Sequence, residues 1–526
     1  MAGSALEGQN QLKVLIGFVG LAVVAALLAY SVSGERYSLM TFLLAAIGFV
    51  IVFPFPKLAV VFVVIFAQFQ YLFTGYLGTL ISLPVLPVFF QWLDDIVLLA
   101  LLMNLVFTKL IKGRDEPMEK APGLLPLALL FLVGLISARL NGVPFIIGLI
   151  GQRYVFEMVV LYLAIVNLDF DERYLRGIVY LLLGIGVFQA VMGGIEFVDS
   201  YHMYAAGNHD IVQGTWGGGS ANNLGIFFLC LAAIVLARMR ERWIVRRAVL
   251  LGVFVVLLVL TSSRTGIVLM PLVFFFIFRE KLKNPKYWVT TSIALIFLVG
   301  SLIFYYKNTQ AEVSRDLGAD EFEFQIMGRT GVIPVLQDAL DVNSIFPPLG
   351  AGPGTYLSEL GQRRSSEFHL YVLYRLAQTQ QVAWAFIQAS YAVLWMEYGI
   401  VGLLLFGAVL WRLFYFAWKE EKNIQSPFWK DYFRALQAIL VTYALVGGIL
   451  AIWTQFQMNV YLWLFAALGV RYVVLQRRKA ARMTAQLPKS TEETSPQRLP
   501  VQGDRVRGPT ADERRWPRRK GTQFGI

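Results

Sequence analysis

Residues 307–386 read KNTQAEVSRDLGADEFEFQIMGRTGVIPVLQDALDVNSIFPPLGAGPGTYLSELGQRRSSEFHLYVLYRLAQTQQVAWAF, a mostly polar stretch between two long apolar regions. Apolar segments run from Leu12 to Tyr306 and again from Ile387 to Leu475. A membrane span needs about 20 apolar residues, and lipid accepts only helices or closed barrels. A polar insertion this long is not expected to be a simple connector. It carries Arg315, Arg329, Arg363, Arg364, Arg375 and His369, and chemistry is expected there.

Outward from this stretch, the chain reads as an all-α polytopic membrane protein. The spacing of apolar runs predicts about fourteen transmembrane helices, near 12–32, 38–55, 58–79, 94–111, 123–138, 147–167, 175–197, 222–238, 246–261, 264–278, 287–306, 387–416, 432–452 and 456–475. The 526 residues are 57% hydrophobic and only 15% charged, with mean hydropathy +0.61. Soluble domains carry roughly 25% charge, so most of this chain belongs in lipid. The stretch Leu12 to Val32 is long enough to span and has no small-residue cleavage site, so it reads as a span rather than a cleaved signal. The single cysteine, Cys230, excludes an intramolecular disulfide, and three histidines leave little material for a zinc centre.

Basic residues cluster in alternate loops: Lys109/Lys112/Arg114/Lys120, Arg173/Arg176, Arg238 to Arg247, Arg279 to Lys286, Lys419/Lys422/Lys430 and the tail. All fall on one side if both termini are cytoplasmic. The loop 307–386 then faces the periplasm. Residues 476–526 hold thirteen Lys+Arg against five Asp+Glu and are expected to be disordered. A basic tail beside a bilayer points to anionic membrane lipid, and no folded nucleic-acid reader accompanies it.

Five places on the outer face or at its edge carry candidate chemistry. Gly214-Thr215-Trp216 opens a glycine-rich run ending at Asn222-Asn223, read either as a ligand-binding loop or as a helix-entry loop capped by Asn. Thr261-Ser262-Ser263-Arg264-Thr265-Gly266 sets an arginine between two spans, suited to phosphate oxygens or to snorkelling. Gly328-Arg329 opens an amphipathic helical pattern, with Arg329 at its anion-attracting end. A Pro/Gly turn through Gly350 and Gly352 follows. Gln388-Ala389-Ser390-Tyr391 precedes Glu397-Tyr398-Gly399 by nine residues, about 13 Å along one helix, with Glu397 read as a functional group or as a structural partner. Arg153, beside Tyr154, is an interfacial anchor or part of an anion site. Asp94-Asp95 reads as capping the start of the fourth span.

Taken in order, these motifs resemble the bacterial O-antigen ligase and O-antigen polymerase family. The resemblance covers roughly residues 205–475 and rests on Gly214-Thr215-Trp216 through Asn223, Ser263-Arg264-Thr265-Gly266, Gly328-Arg329 with Pro348-Leu349-Gly350-Ala351-Gly352-Pro353, and Glu397 to Gly402. It divides the chain into N-terminal helices (1–204), a ligase/polymerase-like region (205–475) and the tail (476–526). It implies an inner-membrane, metal-independent, inverting glycosyltransferase without a cofactor. The donor would be an undecaprenyl-pyrophosphate-linked oligosaccharide, the acceptor a second glycan or a lipid, and the neighbours polysaccharide-assembly proteins. Arg264 and Arg329 would hold the pyrophosphate, with Arg153, Gly214, Thr215, Trp216, Asn223, Gly350, Gly352 and Tyr391 around the substrate. Many members have His-Asn where this chain has Gln388-Ala389, and a glutamine amide is no base near neutral pH. His369, Glu367 and Glu397 are the substitutes in view. The missing histidine and the basic tail favour a polymerase over a ligase. A lipid-linked glycan transporter and a non-catalytic assembly factor are the readings from other classes.

Overall fold

The computed structural model describes residues 37–73, 85–111, 118–202, 212–217, 220–240, 244–284, 345–355, 390–448 and 456–486, with isolated positions at 300, 338, 341–342, 450 and 452. Among them there is no strand, and twelve α-helices. These are α1 Tyr37–Val52, α2 Pro56–Tyr71, α3 Val85–Val106, α4 Leu124–Leu140, α5 Phe145–Asn167 and α6 Glu172–Asp199, then α7 Ala221–Met239, α8 Val245–Leu260, α9 Arg264–Phe278, α10 Ser390–Glu421, α11 Pro427–Val446 and α12 Phe456–Gln486. The expected span at 12–32, nearly all of that at 287–306, most of the loop 307–386 and the tail beyond 486 lie outside the described residues.

Among the described residues four helices, α6, α7, α10 and α12, are long and apolar enough to cross a membrane. A fifth is added if α5, bent by 58° between Phe145–Arg153 and Val155–Asn167, is one span. Other apolar helices, such as α2 and α4, are shorter.

The core gathers on α12, the most enclosed of the long helices. Tyr461 stacks on Trp216, Trp463 meets Tyr162 of α5, and Tyr472 stacks on Trp429 at 4.4 Å. Tyr432 and Tyr443 of α11 donate their hydroxyls to the α12 carbonyls of Phe465 and Met458. Tyr162, Trp216, Trp429, Tyr432, Tyr443 and Tyr461 therefore contribute apolar area while the hydroxyl or indole N–H of each finds a partner. Arg471 of α12 is 2% exposed and donates to the carbonyls of Val166 and Phe170, at the C-terminal end of α5. A cation there meets the negative end of the helix dipole, which makes its burial tolerable.

Where α7, α9 and α10 end and α11 begins, ion pairs tie four helices together. Arg434 pairs with Glu421 at 2.8 Å and with Asp431 and Glu280 at 3.4 Å, and Arg279 reaches Glu421 at 2.8 Å. Arg240 pairs with Glu280. Three guanidinium groups thus face three carboxylates, so the network is balanced in formal charge, as burial requires.

Three boundaries differ from the sequence reading. Helix α3 starts at Val85, so Asp94 and Asp95 lie inside it rather than at its cap. Pro87 falls in the first turn, where helix N–H groups have no intrahelical acceptor, so it does not stop the helix. Helix α12 runs on to Gln486 because residues 476–486 are mainly Arg, Lys, Ala and Gln, all good helix formers. Helix α10 is broken at Gly399, whose φ of 70° is open to glycine without the Cβ penalty. Gln388 lies outside the described residues, so the expected separation of about 13 Å from Gln388 to Glu397 does too; the described part of α10 runs from Ser390.

Candidate functional site

The break in α10 is filled by chain from the polar insertion. The amides of Ala351 and Gly352 donate to the carbonyls of Met396 and Glu397 at 2.7 and 3.0 Å, and those of Ile400 and Val401 donate back to Pro347 and Pro348 at 3.4 and 3.1 Å. Carbonyls and amides freed by the break are thus paired by a strap, residues 347–355. Helix α4 clamps it from another side, since Ser137 Oγ and Asn141 Nδ2 both donate to Gly350 O at 2.9 Å. The approach is close enough to demand glycine. A Cβ on Gly350 would lie 2.6 Å from Met396 O, and one on Gly352 would lie 2.8 Å from the Ala138 Cα. Gly350, Gly352 and Glu397 are therefore brought together, and the two glycines lie against the backbone of α10 and α4 and the side chains of Ser137, Asn141 and Val143. Glu397 is 2% exposed, and its Oε2 accepts from the Gly354 amide at 3.2 Å.

The strap also touches α5. A Cβ on Gly151 would collide with Pro353 and Gly354. Its neighbour Gln152 donates to Phe131 O of α4 at 2.7 Å. The next residue, Arg153, turns to α3: it pairs with Asp95 at 2.7 Å and Glu157 at 3.5 Å and lies over the Trp92 ring. Asp94, also buried, lies close enough to Glu157 to hydrogen-bond with it. Arg153 thus sits among three carboxylates rather than among other arginines, and it lies at the bend of α5. Sequence reading missed this cluster because Asp94 and Asp95 lie some sixty residues from Arg153, on a different helix.

A second constellation forms around Gly214-Thr215-Trp216, a single 3-10 turn. Glu196 accepts from the amides of Gln213 and Gly214 at 2.7 Å, and Gln189 Oε1 accepts from the Thr215 amide at 3.1 Å. Thr215 Oγ1 donates to Gln68 O at 2.6 Å, and Trp216 Nε1 to Gln68 Oε1 at 2.9 Å. Trp216 is buried and also packs on Phe227. Glutamines inside apolar spans, Gln68 in α2 and Gln189 in α6, were the available signal for these partners. From there Ser220 leads into α7, where Asn223 is buried one turn in.

Helix α9 begins at Arg264, immediately after Ser263. Ser263 Oγ accepts from the Gly266 amide and donates to Asn222 O at 3.1 Å, so the Ser-Arg-x-Gly turn is seated on the start of α7. Ser262 takes φ 50°, a strained value for a residue with a side chain, and the tight turn depends on it. The N-terminal end of α9 is the positive end of its dipole, which is favourable for phosphate oxygens. Tyr391, in the first turn of α10, hangs on the end of α11: its amide donates to Gly447 O at 3.0 Å and its hydroxyl to Ala444 O.

Arg329, Glu367, His369 and Gln388 lie outside the described residues. Among the described residues, no three His, Cys, Asp or Glu side chains are arranged to hold a metal ion. No family model matches the chain, and no curated protein matches it.

Proposed function

We propose that this chain is an inner-membrane polysaccharide polymerase that joins undecaprenyl-pyrophosphate-linked repeat units at the periplasmic face. The observation that carries the reading is the seating of the Ser263-Arg264 turn on Asn222. Two motifs some forty residues apart meet there, at a helix start suited to phosphate. A diphosphate leaving group needs its developing charge neutralised, and fixed arginines with a helix N-terminus supply that without a metal. Arg264 and Arg329 take this role. An acceptor hydroxyl then attacks the anomeric carbon, its proton passes to a base, and single displacement inverts the configuration. His369 and Glu367 are the bases in view, since Gln388 cannot serve. A ligase would run the same chemistry on a lipid or core-glycan acceptor.

A second reading, a lipid-linked glycan transporter, is favoured by one observation: Arg153, Asp94, Asp95 and Glu157 cluster inside the bundle at a bent helix. The departure at Gln388 favours a non-catalytic assembly factor. The deciding experiment is the glycan profile of a strain lacking the protein. Single repeat units stalled on the lipid carrier support the polymerase. Long carrier-linked chains that never reach the final acceptor mean a ligase, and carrier-linked units confined to the inner leaflet mean a transporter. A normal profile overturns all three.

A further inference from the structure

We propose that Glu397 is a positioning residue: it latches the strap 347–355 into the break of α10 through the Gly354 amide, and it does not act on substrate. The geometry separates the two roles. A general base needs a face open to the proton it removes, within about 3 Å. Glu397 is 2% exposed, and its Oε2 is engaged by Gly354 at 3.2 Å. Everything else at this junction serves the same docking. Four backbone hydrogen bonds join residues 347–352 to residues 396–401. Ser137 and Asn141 hold Gly350 from α4, and Gly151 abuts Pro353 and Gly354 from α5. Those backbone bonds secure the strap only as far as Gly352. Beyond it, where Gly151 packs against Pro353 and Gly354, the Glu397 carboxylate supplies a hydrogen bond to the Gly354 amide. A carboxylate that accepts from a buried amide is a strong, directional anchor.

The test compares Glu397→Gln with Glu397→Ala in the full-length protein. Glutamine keeps an acceptor oxygen at the same reach but no basicity, whereas alanine removes the acceptor. Amide hydrogen exchange over residues 347–355 reads the latch directly. Glycan chain length in complemented cells reads the consequence, and that arm alone rests on the polymerase reading. Expected is slow exchange and near-normal chain length for Glu397→Gln. Glu397→Ala should speed exchange at Gly354 by about tenfold or more and shorten the chains. Loss of glycan in Glu397→Gln with exchange still slow would make Glu397 a catalytic group and overturn the proposal. Unchanged exchange in Glu397→Ala would also overturn it. Should the alanine variant fail to fold, the glutamine variant decides alone. If deleting the gene leaves the glycan unchanged, the polymerase reading fails while the exchange comparison still stands.

Discussion

The Ser263 hydroxyl donates to the Asn222 carbonyl across 3.1 Å, joining the start of α9 to the start of α7. Gly225, one turn further along α7, lets this happen, because a Cβ there would collide with Ser263. The same hydroxyl caps α9 by accepting from Gly266. Losing a serine cap costs about 1 kcal/mol, and here a second bond is lost with it. Ser263→Ala is expected to lower the thermal midpoint of the purified protein, while Ser263→Thr, which keeps the hydroxyl, should recover most of the loss. A midpoint for Ser263→Ala equal to wild type would remove the structural role of this contact.

How far the sequence reveals this architecture follows from the range of each signal. Helix positions were legible because an apolar run and its basic flanks are local: the expected 264–278 and the observed α9, Arg264–Phe278, coincide. The Ser263 turn and the Gly214–Trp216 turn were legible as unusual polar islands. What they touch was not, since Gln68, Gln189 and Tyr461 come from three distant helices. The break at Gly399 was hidden for another reason. A glycine in an apolar helical run looks like any other until a second segment supplies partners for the opened backbone.

The arginine assignments test the proposed chemistry. Removing one charge-stabilising donor from an active site costs about 10²–10³ in rate. Arg264→Ala and Arg329→Ala are each expected to abolish chain extension while protein level and membrane insertion stay normal. Arg264→Lys should retain part of the activity, since it keeps the charge and loses the fork that grips phosphate oxygens. In vivo chain-length profiles with matched immunoblots check this. Full-length glycan from a well-expressed Arg329→Ala variant would sink its assignment.

Gly399 gives a sharp contrast with Gly407 on the same helix. At Gly399 a Cβ would strike Pro348 O and must also accept a φ of 70°, whereas at Gly407 it would meet nothing within 4 Å. The left-handed conformation alone costs about 1–2 kcal/mol for a residue with a Cβ, and the collision adds to it. Gly399→Ala is expected to lower the yield of folded protein in detergent, and Gly407→Ala to raise stability slightly through helix propensity. Size-exclusion profiles of both variants, side by side, check the pair. Equal yields would mean that the strap does not need the break as described.

Arg471 is the largest buried cation of α12, and its guanidinium serves the carbonyls of Val166 and Phe170. Arg471→Leu removes the charge but leaves these carbonyls short of a donor at a helix end. An unsatisfied buried polar group costs about 1–3 kcal/mol, so a clear loss of thermal stability is expected. Arg471→Lys, with one head group in place of a fork, should fall between. Thermal melts in one detergent would order the three proteins, and wild-type stability in Arg471→Leu would contradict the assignment.

Glu280 sets an acid limit on the end of the bundle where α7, α9 and α10 terminate. The hydrogen bond from Arg240 lowers its carboxyl from the ordinary value of 4.5, with the nearby charges of Arg240, Arg434 and Arg279 adding to it against some burial. A carboxyl depressed in the folded state favours folding fully above its unfolded value. That contribution fades as pH falls from 4.5 through the folded value. Stability should therefore be flat in this respect near neutrality and decline in the acid range below 4.5. The side chain is half exposed, so the effect is screened by salt and modest in size. Glu280→Gln should flatten the acid limb of a melting-temperature profile and lower stability near neutrality. An unchanged acid limb in that variant would show that Glu280 does not set the limit.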